Sequence, residues 1–99
     1  MNIPSKVKIG GKIFDVGLAN LTSVNGDKIY GGQSAVFRHW IKIQCDVPES
    51  QREETFLHEI IELIGDMNDL KLNHTQISTL SNCLYQVICD NKNIFEGER

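Results

Sequence analysis

No long apolar run occurs in this sequence. No stretch approaches the roughly 18 to 20 apolar residues that cross a bilayer, and the start, MNIPSKVKIGG, lacks the apolar core of a signal peptide. These absences argue against a membrane-spanning helix and a secretory leader. The sequence therefore predicts a cytoplasmic protein without a membrane partner.

Concentrated positive charge is also missing. The ten Lys and Arg residues are scattered among 13 Asp and Glu, which gives a formal net charge of -3 and a pI near 5.5. A protein that binds nucleic acid through its surface charge carries a basic patch or stripe. The sequence therefore predicts that nucleic acid is not a partner.

Cysteines are few and widely spaced. Cys45, Cys83 and Cys89 are an odd number and include no C-x-x-C pair. Cys83 and Cys89 lie six positions apart in a helical segment, which does not place them on one ligand face. They are expected to be structural thiols of a reducing compartment rather than a metal or redox site.

What is present is typical of a small soluble globular protein. With 40% hydrophobic and 23% charged residues, the composition differs from that of a disordered chain. A length of 99 residues suffices for one modest hydrophobic core. The sequence contains no internal repeat and no low-complexity segment. We therefore expect a single domain over residues 1–99.

The first half of the chain has the pattern of strands and turns. The segment KVKIGGKIFDVG alternates through Val7 and Ile9, and it alternates again from Ile13. The Gly10–Gly11 pair between these runs predicts a two-residue hairpin turn. Asn25–Gly26 is a further turn signal.

A second hairpin is predicted from YGGQSAVFRHWIKIQC. Its arms would be residues 33–37 and 41–45, with a turn around residues 38–40. In the second arm, one face would carry the apolar residues Ile41, Ile43 and Cys45. The opposite face would carry the polar residues Lys42 and Gln44. Such a half-exposed strand is expected at a sheet edge, where it could pair with a peptide.

The second half changes to a helical period. In VPESQREETFLHEIIELIG, the apolar residues cover one broad arc of a helix over residues 51–64. Ser50 and Glu53 have the spacing of a capping box at its start, and Gly65 is a candidate left-handed residue at its end. The expected result is an amphipathic helix that packs on the sheet.

Another helix is predicted over residues 74–90. Asn73 can cap it, with Gln76 at the third helical position, and apolar residues recur at helical spacing until about Asp90. The final KNIFEGER is expected to fray. Strands over about residues 6–45 followed by two helices predict an α+β fold, with a small antiparallel or mixed sheet packed against both helices.

The first helix contains the residues that point to chemistry. In FLHEIIELIG, His58 is followed by Glu59 and, four positions after the histidine, by Glu62. Residues four apart project from the same helical face, so His58 and Glu62 can reach one metal ion, whereas Glu59 can reach a water on that ion. This is the logic of H-E-x-x-H, in which two ligands hold zinc and the glutamate is the general base. Here glutamate replaces the second histidine.

His74 is the candidate third ligand. Two histidines and one carboxylate form a known catalytic zinc set that leaves the fourth position to water. The connection over residues 65–73 is long enough to bring His74 back beside His58, and a helix N-terminus disfavours a protonated imidazole. The predicted metal is zinc, its ligands are His58, Glu62 and His74, and its general base is Glu59.

An ordinary solvated helix face would explain the same residues. His58 and Glu62 lie with Gln51 and Thr55 in a polar stripe opposite the apolar arc. A surface His–Glu pair at this spacing contributes only about 0.3 kcal/mol. Spacing alone does not separate this interpretation from the metal site.

Two further alternatives belong to other functional classes. The metal could be structural, with its fourth position closed by a side chain such as Asp66 or Asp69. Alternatively, the domain could be catalytically inactive and bind another protein through its edge strand and helix surface. If the protein is a metallopeptidase, Glu59→Gln would abolish hydrolysis and would leave metal binding and folding intact.

The order of these segments resembles that of a known family. IKIQCDVPESQREETFLHEIIELI, a short loop and LKLNHTQISTLSNCLYQVICDN are similar to small phage and prophage proteins related to the ImmA/IrrE group of zincin-like metallopeptidases. The resemblance extends from about Tyr30 to Asn91 and is strongest in HEIIE, LNH and LYQVICDN. The larger family carries H-E-x-x-H on its first helix and takes a further ligand from the next helix.

The resemblance implies a role for each matching residue. His58 matches the first ligand, Glu59 the general base, Glu62 the second-ligand position and His74 the third ligand. It also implies zinc, a minimal zincin-like fold, and a phage- or prophage-encoded protein in a bacterial cytoplasm. The implied partner is a protein or peptide substrate, such as a repressor or another regulator. Glutamate at position 62 and the short chain depart from the family pattern.

Overall fold

A computed structural model of the chain describes residues 1–21 and 31–96. In chain order the elements are β1 Lys6–Ile9, β2 Lys12–Ala19, β3 Gly32–Ala35, β4 Trp40–Gln44, α1 Glu49–Met67, α2 His74–Asp90 and α3 Asn93–Glu96. The predicted α+β class is confirmed, because a four-stranded mixed sheet packs against the two long C-terminal helices. The turn predicted at Asn25–Gly26 lies outside the described residues.

The first predicted hairpin is confirmed. β1 and β2 pair antiparallel as far as Ile9 opposite Lys12, and the turn between them consists of Gly10 (φ 56°) and Gly11 (φ 82°). Two consecutive positive φ angles are typical of a type I′ turn, which residues with a Cβ adopt only at a cost. The Gly-Gly pair therefore favours this register of β1 on β2.

The position of β4 corrects a prediction. The strand order is β1-β2-β4-β3, and β4 pairs in parallel with β2 and antiparallel with β3. The strand predicted over residues 41–45 therefore lies inside the sheet and not at its edge, because residues 15–19 of β2 pair with its other side. The edge strand on this side of the sheet is β3.

The second hairpin forms with its turn displaced toward the N-terminus. Residues 36–39 connect β3 to β4, rather than residues 38–40. His39 ends the turn with a φ of 57°, a conformation that histidine adopts more readily than bulkier residues. Trp40 consequently begins β4 instead of belonging to the turn.

The face pattern predicted for β4 holds only in its centre. Ile41 and Ile43 are fully buried, whereas Cys45 follows the end of the strand and is exposed. Gln44 was expected to be exposed with Lys42, but only 1% of its surface is accessible. Its Oε1 accepts a hydrogen bond from the backbone N–H of Leu21 at 3.2 Å, which satisfies the buried amide oxygen.

The apolar core lies between the sheet and α1. Side chains from three strands meet two from the helix, namely Ile9, Phe14, Ile41, Ile43, Phe56 and Leu63. Each large apolar side chain removed from water contributes about 1.5–3 kcal/mol. This cluster therefore fixes the rotation of α1 on the sheet, and α2 packs mainly against α1.

The start of α1 differs from the predicted capping box. The helix begins at Glu49 with Pro48 as its N-cap, and no side chain caps it. The carbonyl of Pro48 accepts the first helical hydrogen bonds, and its fixed φ suits the entry to a helix. Glu53 is buried instead of capping, because its carboxylate accepts a 2.7 Å hydrogen bond from the Tyr85 hydroxyl on α2.

The end of α1 also corrects a prediction. Gly65 does not stop the helix, which continues to Met67, and Asp69 adopts the left-handed conformation with a φ of 53°. A Cβ at Gly65 would lie 3.5 Å from the carbonyl oxygen of Leu70 and 3.6 Å from the Leu72 side chain. The glycine therefore gives the returning chain room to pass close to α1.

The start and end of α2 are confirmed. The Asn73 side chain accepts from the Gln76 N–H at 2.8 Å, and the Gln76 side chain accepts from the Asn73 N–H at 2.9 Å. This reciprocal pair satisfies two N–H groups that a helix start would otherwise leave unpaired. The predicted fraying is wrong for Asn93–Glu96, which forms a short helix.

No helix within residues 1–21 and 31–96 has the length and hydropathy to cross a membrane. All three cysteines are free thiols. Cys45 and Cys83 are exposed, and Cys89 is half-buried.

Candidate metal site

The candidate site lies where α1 passes beside the edge strand β3 and the start of α2. Two adjoining hollows open at this place and share Gly32, His58, Glu59 and His74. Together they are called the cleft below. Its walls come from β3, the start of β4, α1 and α2, so the side chains on α1 face both a sheet edge and a second helix.

Three side chains of α1 converge in the cleft. Ligand atoms of His58, Glu59 and Glu62 all lie within 4.8 Å of one another, and His58 Nε2 is 3.7 Å from Glu62 Oε2. Ligands about 2.1 Å from a tetrahedral zinc ion are about 3.4 Å apart, so small side-chain movements would bring this group onto one ion. The group could therefore hold a metal ion.

The surroundings of His58 favour its neutral form. Burial lowers the pKa of His58, and the neighbouring His74 lowers it further, whereas the carboxylates of Glu62 and Glu54 act in the opposite direction. Burial is the largest of these effects. A neutral imidazole has the free lone pair that a metal ligand requires.

Glu59 is the most buried member of the group, with 4% of its surface exposed. Burial, and next the charge of Glu62, raises the pKa of Glu59 from 4.5 to about 7, while a hydrogen bond from the Ser34 hydroxyl opposes this rise. A carboxyl group that titrates near neutral pH is suited to accept and return a proton. The pKa of Glu59 thus lies in the range in which a carboxyl group exchanges a proton near neutral pH.

A glycine in β3 makes room for Glu59. A Cβ at Gly32 would lie 2.6 Å from Thr55 Cγ2 and 3.1 Å from Glu59 Oε2. These separations are shorter than ordinary van der Waals contacts. Ser34 is two positions further along β3, on the same face of the strand, and donates to the Glu59 carboxylate. The edge strand therefore both accommodates this side chain and holds it.

His74 lies beside the group without joining it. Its ring centroid is 5.4 Å from that of His58, with the two ring planes tilted by 55°. Its Nε2 is 3.4 Å from the Ser78 hydroxyl, and it is not among the atoms within 4.8 Å of one another. The structure thus places Glu59 beside His58 and Glu62 and leaves His74 at the margin of this group, so the assignment of His74 as the third ligand stays a prediction.

The other residues considered from the sequence lie elsewhere. Tyr85 donates to Glu53, and this hydrogen bond raises the pKa of Tyr85. His39 packs its ring against Phe14 at a centroid distance of 5.0 Å. Within the described residues, neither Asp66 nor Asp69 lines the cleft.

Sequence reasoning missed three residues of the site: Gly32, Ser34 and Trp40. They line the cleft because β3 is an edge strand and β4 begins beside it. Their contacts join residues far apart in sequence, so no local period contains them. The Gly31–Gly32 pair is the local sequence feature that could have indicated a close approach of the backbone to another element.

Another hollow, of about 500 Å³, lies between the N-terminal residues and the start of α1. Its lining includes Ile3, Leu18 and Arg52, and no histidine or cysteine is among its described lining residues. The potential metal ligands of the described residues converge in the cleft and not in this hollow.

Comparisons of the chain with models of protein families, with curated proteins and with solved structures give no match. The geometry of the cleft and the sequence motifs are therefore the features that indicate a function.

Proposed function

We propose that the cleft binds zinc and that the protein is a metallopeptidase that hydrolyses peptide bonds. The observation that carries the proposal is the convergence of His58, Glu59 and Glu62 within 4.8 Å, beside an edge strand. The neutral state favoured for His58 and the raised pKa of Glu59 support it.

Each residue of the site has a role in this proposal. His58 and Glu62 supply two ligands, and His74 supplies the third after its ring turns away from Ser78. A bound zinc ion would lower the pKa of a coordinated water and polarise the scissile carbonyl. Glu59 takes the proton from the attacking water and gives it to the leaving amine, and Ser34 keeps its carboxylate in place.

The edge strand β3 supplies a means of holding the substrate. Its backbone N–H and C=O groups on the side away from β4 can pair with an extended peptide. Because Gly32 and Ser34 of β3 line the cleft, such a peptide would pass next to Glu59. This role was expected of the strand over residues 41–45, but that strand is interior.

The proposal extends to the resemblance of the sequence to ImmA/IrrE-related proteins. On this view the fold is a minimal zincin, and the protein acts in the cytoplasm of a bacterium that carries a phage or prophage. Its substrate would then be a regulatory protein or peptide. The support for this part is the motif HEIIE together with LNH.

A structural metal is the second candidate function. It is favoured by one observation, namely that Glu59 belongs to the same ligand group as His58 and Glu62. If all three side chains bind the ion, Glu59 is not free to act as a base. The two candidates predict different behaviour for Glu59→Gln.

The first test is the metal content of the untagged protein, purified without chelator. We expect about one zinc per chain, lost in His58→Ala and reduced in His74→Ala. His39→Asn is the control, since the third histidine lies outside the cleft and asparagine tolerates its positive φ. A wild-type protein that takes up no zinc even when zinc is added would overturn the proposal.

The next test is Glu59→Gln in zinc-loaded protein, with Glu49→Gln on an exposed turn of the same helix as its control. In the peptidase, the Glu59 variant retains zinc and loses hydrolysis of a quenched fluorescent peptide library. In the protein with a structural metal, the same variant binds zinc more weakly and the wild type shows no hydrolysis.

A further inference from the structure

Charge is divided unevenly between the two halves of the described structure. Residues 1–21 and 31–45, which form the sheet, contain one acidic and five basic side chains, namely Asp15, Lys6, Lys8, Lys12, Arg38 and Lys42. Residues 46–96, which form the helices, contain ten acidic and three basic side chains. A net charge of -3 therefore conceals a positive sheet and a negative helical side.

Strand pairing gathers much of the positive charge on one face. Lys6 lies opposite Asp15, and Lys8 lies opposite Ile13. Asp15 is also the neighbour of Trp40 on β4. Alternation places these residues on the side of the sheet that points away from α1, because their neighbours Phe14 and Ile41 are in the core. This side is called the outer face below.

Lys42 completes the outer face. It pairs in register with Gly17 on β2 and with Gln33 on β3, and its ammonium lies 4.5 Å from the centroid of the Trp40 ring. Lys6, Lys8 and Lys42 are all exposed. Only Lys6 is neutralised locally, by an ion pair with Asp15.

Exposed apolar residues accompany these charges. Ile13 is 58% exposed and Phe37 is 94% exposed. Since β2 and β4 are parallel, the turns that precede them lie at the same end of the sheet. Phe37 and Arg38 therefore lie at the same end as Lys12 and Ile13. A surface that mixes exposed apolar side chains with unpaired lysines fits a partner that mixes apolar groups with carboxylates.

The outer face is continuous with the cleft. Gln33 on β3 and Trp40 on β4 lie at outer-face positions of their strands. Both also line the hollow that contains His58 and Glu59. Lys42 is adjacent to both of them. A chain that leaves the cleft around the edge strand would therefore meet positive charge first.

These observations favour a polypeptide over nucleic acid. Among the described residues this surface offers two aromatic rings, those of Phe37 and Trp40, and the Lys42 ammonium lies over the second. Single-stranded nucleic acid is usually held by several stacked bases and a longer basic groove. At long range the net negative charge repels any acidic ligand, and this repulsion grows with the total charge of the ligand, so it opposes a long nucleic acid more than a short acidic segment.

We propose that the outer face binds an acidic segment of a polypeptide and directs it toward the cleft. The second part rests on the proposed peptidase function and names its substrate class, whereas the binding itself requires no metal. Lys8 and Lys42 provide the attraction, and Ile13 with Phe37 provides the apolar contact.

The test uses two fluorescein-labelled peptides of equal length and equal apolar content, with glutamates in one and lysines in the other. Binding is followed by fluorescence anisotropy at low salt in the presence of a chelator. We expect the glutamate peptide to bind at least about tenfold more tightly than the lysine peptide. Its affinity should fall as salt is added, because the charges are exposed.

The matched variants are Lys8→Glu/Lys42→Glu and Lys71→Glu/Lys92→Glu. Both change the net charge equally, but only the first pair changes the outer face, and all four lysines are exposed. We expect the affinity for the glutamate peptide to fall about tenfold in the first pair of substitutions and less than about twofold in the second. Circular dichroism establishes that both variants are folded.

Three outcomes would overturn the inference. The first is equal affinity for the two peptides, and the second is an equal loss of affinity for the glutamate peptide in the two variants. The third is tighter binding of an oligothymidylate than of the glutamate peptide. Metal analysis is independent of this experiment. A protein that binds no zinc but selects the glutamate peptide would refute the peptidase and leave the outer face as an acidic-polypeptide site.

Discussion

Gly32 lies at the closest approach of the edge strand to α1. A side chain there would meet Thr55 Cγ2 at 2.6 Å and Glu59 at 3.1 Å. We expect Gly32→Ala to lower the free energy of unfolding by about 1–3 kcal/mol, because the strand or the helix must move. Zinc affinity should fall as well, since Glu59 and its neighbours on α1 would be displaced. Urea unfolding and a zinc titration measure the two effects.

The adjacent glycine is the control. A Cβ at Gly31 would lie 3.5 Å from Thr55 Oγ1, an ordinary contact, and neither glycine has a positive φ. Gly31→Ala should therefore change stability by less than about 0.5 kcal/mol. Thr55→Ser in the Gly32 variant removes the nearest methyl group and should restore part of the loss. Equal effects at positions 31 and 32 would contradict the close approach.

Glu59 should make stability depend on pH when metal is absent. Its pKa is raised from 4.5 to about 7 in the folded protein, so the folded state binds a proton more tightly than the unfolded state. The resulting stabilisation is fully present below pH 4.5 and is lost as the pH rises through about 7. Glu59→Gln keeps a neutral side chain, so it should be more stable than wild type at pH 8 by up to about 3 kcal/mol.

Denaturant unfolding in chelator at several pH values measures this difference. The lowered pKa of His58 acts in the opposite direction, since it adds stability as the pH rises toward 6.5. His58 is present in both proteins, so the difference between wild type and Glu59→Gln isolates the carboxyl group. A difference that stays constant between pH 5 and pH 8 would show that Glu59 titrates normally.

Residue identity and spacing were sufficient to select the candidate ligands on α1. His58 and Glu62 converge because a helix brings positions four apart to one face, and Glu59, three positions before Glu62, lies beside them. Ser34 and Gly32 could not be selected in this way. Their effect on Glu59 depends on β3 lying beside α1, which is a relation between distant parts of the chain.

The start of α2 determines where His74 lies. Asn73 and Gln76 form a reciprocal capping box immediately around it. We expect Asn73→Ala to lower the free energy of unfolding by about 1 kcal/mol, because the N–H of Gln76 loses its side-chain acceptor. It should also weaken zinc binding if His74 is the third ligand.

Thr75→Ala is the control for the cap, since Thr75 is exposed in the first turn of α2 and is not part of the box. Thermal unfolding and zinc titration are compared for the two variants. An Asn73 variant as stable as the Thr75 variant would show that the cap contributes nothing. A weakened helix with unchanged zinc affinity would remove His74 from the ligand set.

Element boundaries were predictable only where the signal is local. The Gly10–Gly11 turn and the cap at Asn73 involve neighbouring residues, and both are confirmed. Ser50 and Gly65 have equally good local signals, but Glu53 turns to Tyr85 and the chain after α1 packs over Gly65. In both cases a tertiary contact outweighs the local preference.

Zinc should stabilise the whole molecule if the cleft binds it. An ion that binds only the folded state at about 100 times its Kd contributes about 2.7 kcal/mol, which for a domain of this size raises Tm by about 10 °C or more. His58→Gln should abolish most of this shift, whereas His39→Asn should retain it. Scanning calorimetry with and without zinc measures both, and equal shifts in the two variants would place the ion elsewhere.

The distribution of charge is also a property of the whole molecule. Lysines that appear scattered along the sequence share the outer face, because β1, β2 and β4 lie side by side. Alternation within one strand places Lys6 and Lys8 together. Which strands lie next to them, and hence where Lys42 lies, depends on the parallel pairing of β2 with β4.

The sequence by itself determined the α+β class, the hairpin at Gly10–Gly11, the helix start at Asn73 and the grouping of His58, Glu59 and Glu62. All of these depend on turn chemistry or on a repeat along a few residues of the chain. The tertiary structure decided that β3 is the edge strand, that Glu59 is buried against it, and that the lysines collect on one face. These features require residues far apart in sequence to pack together, and local periodicity carries no information about which distant segments become neighbours.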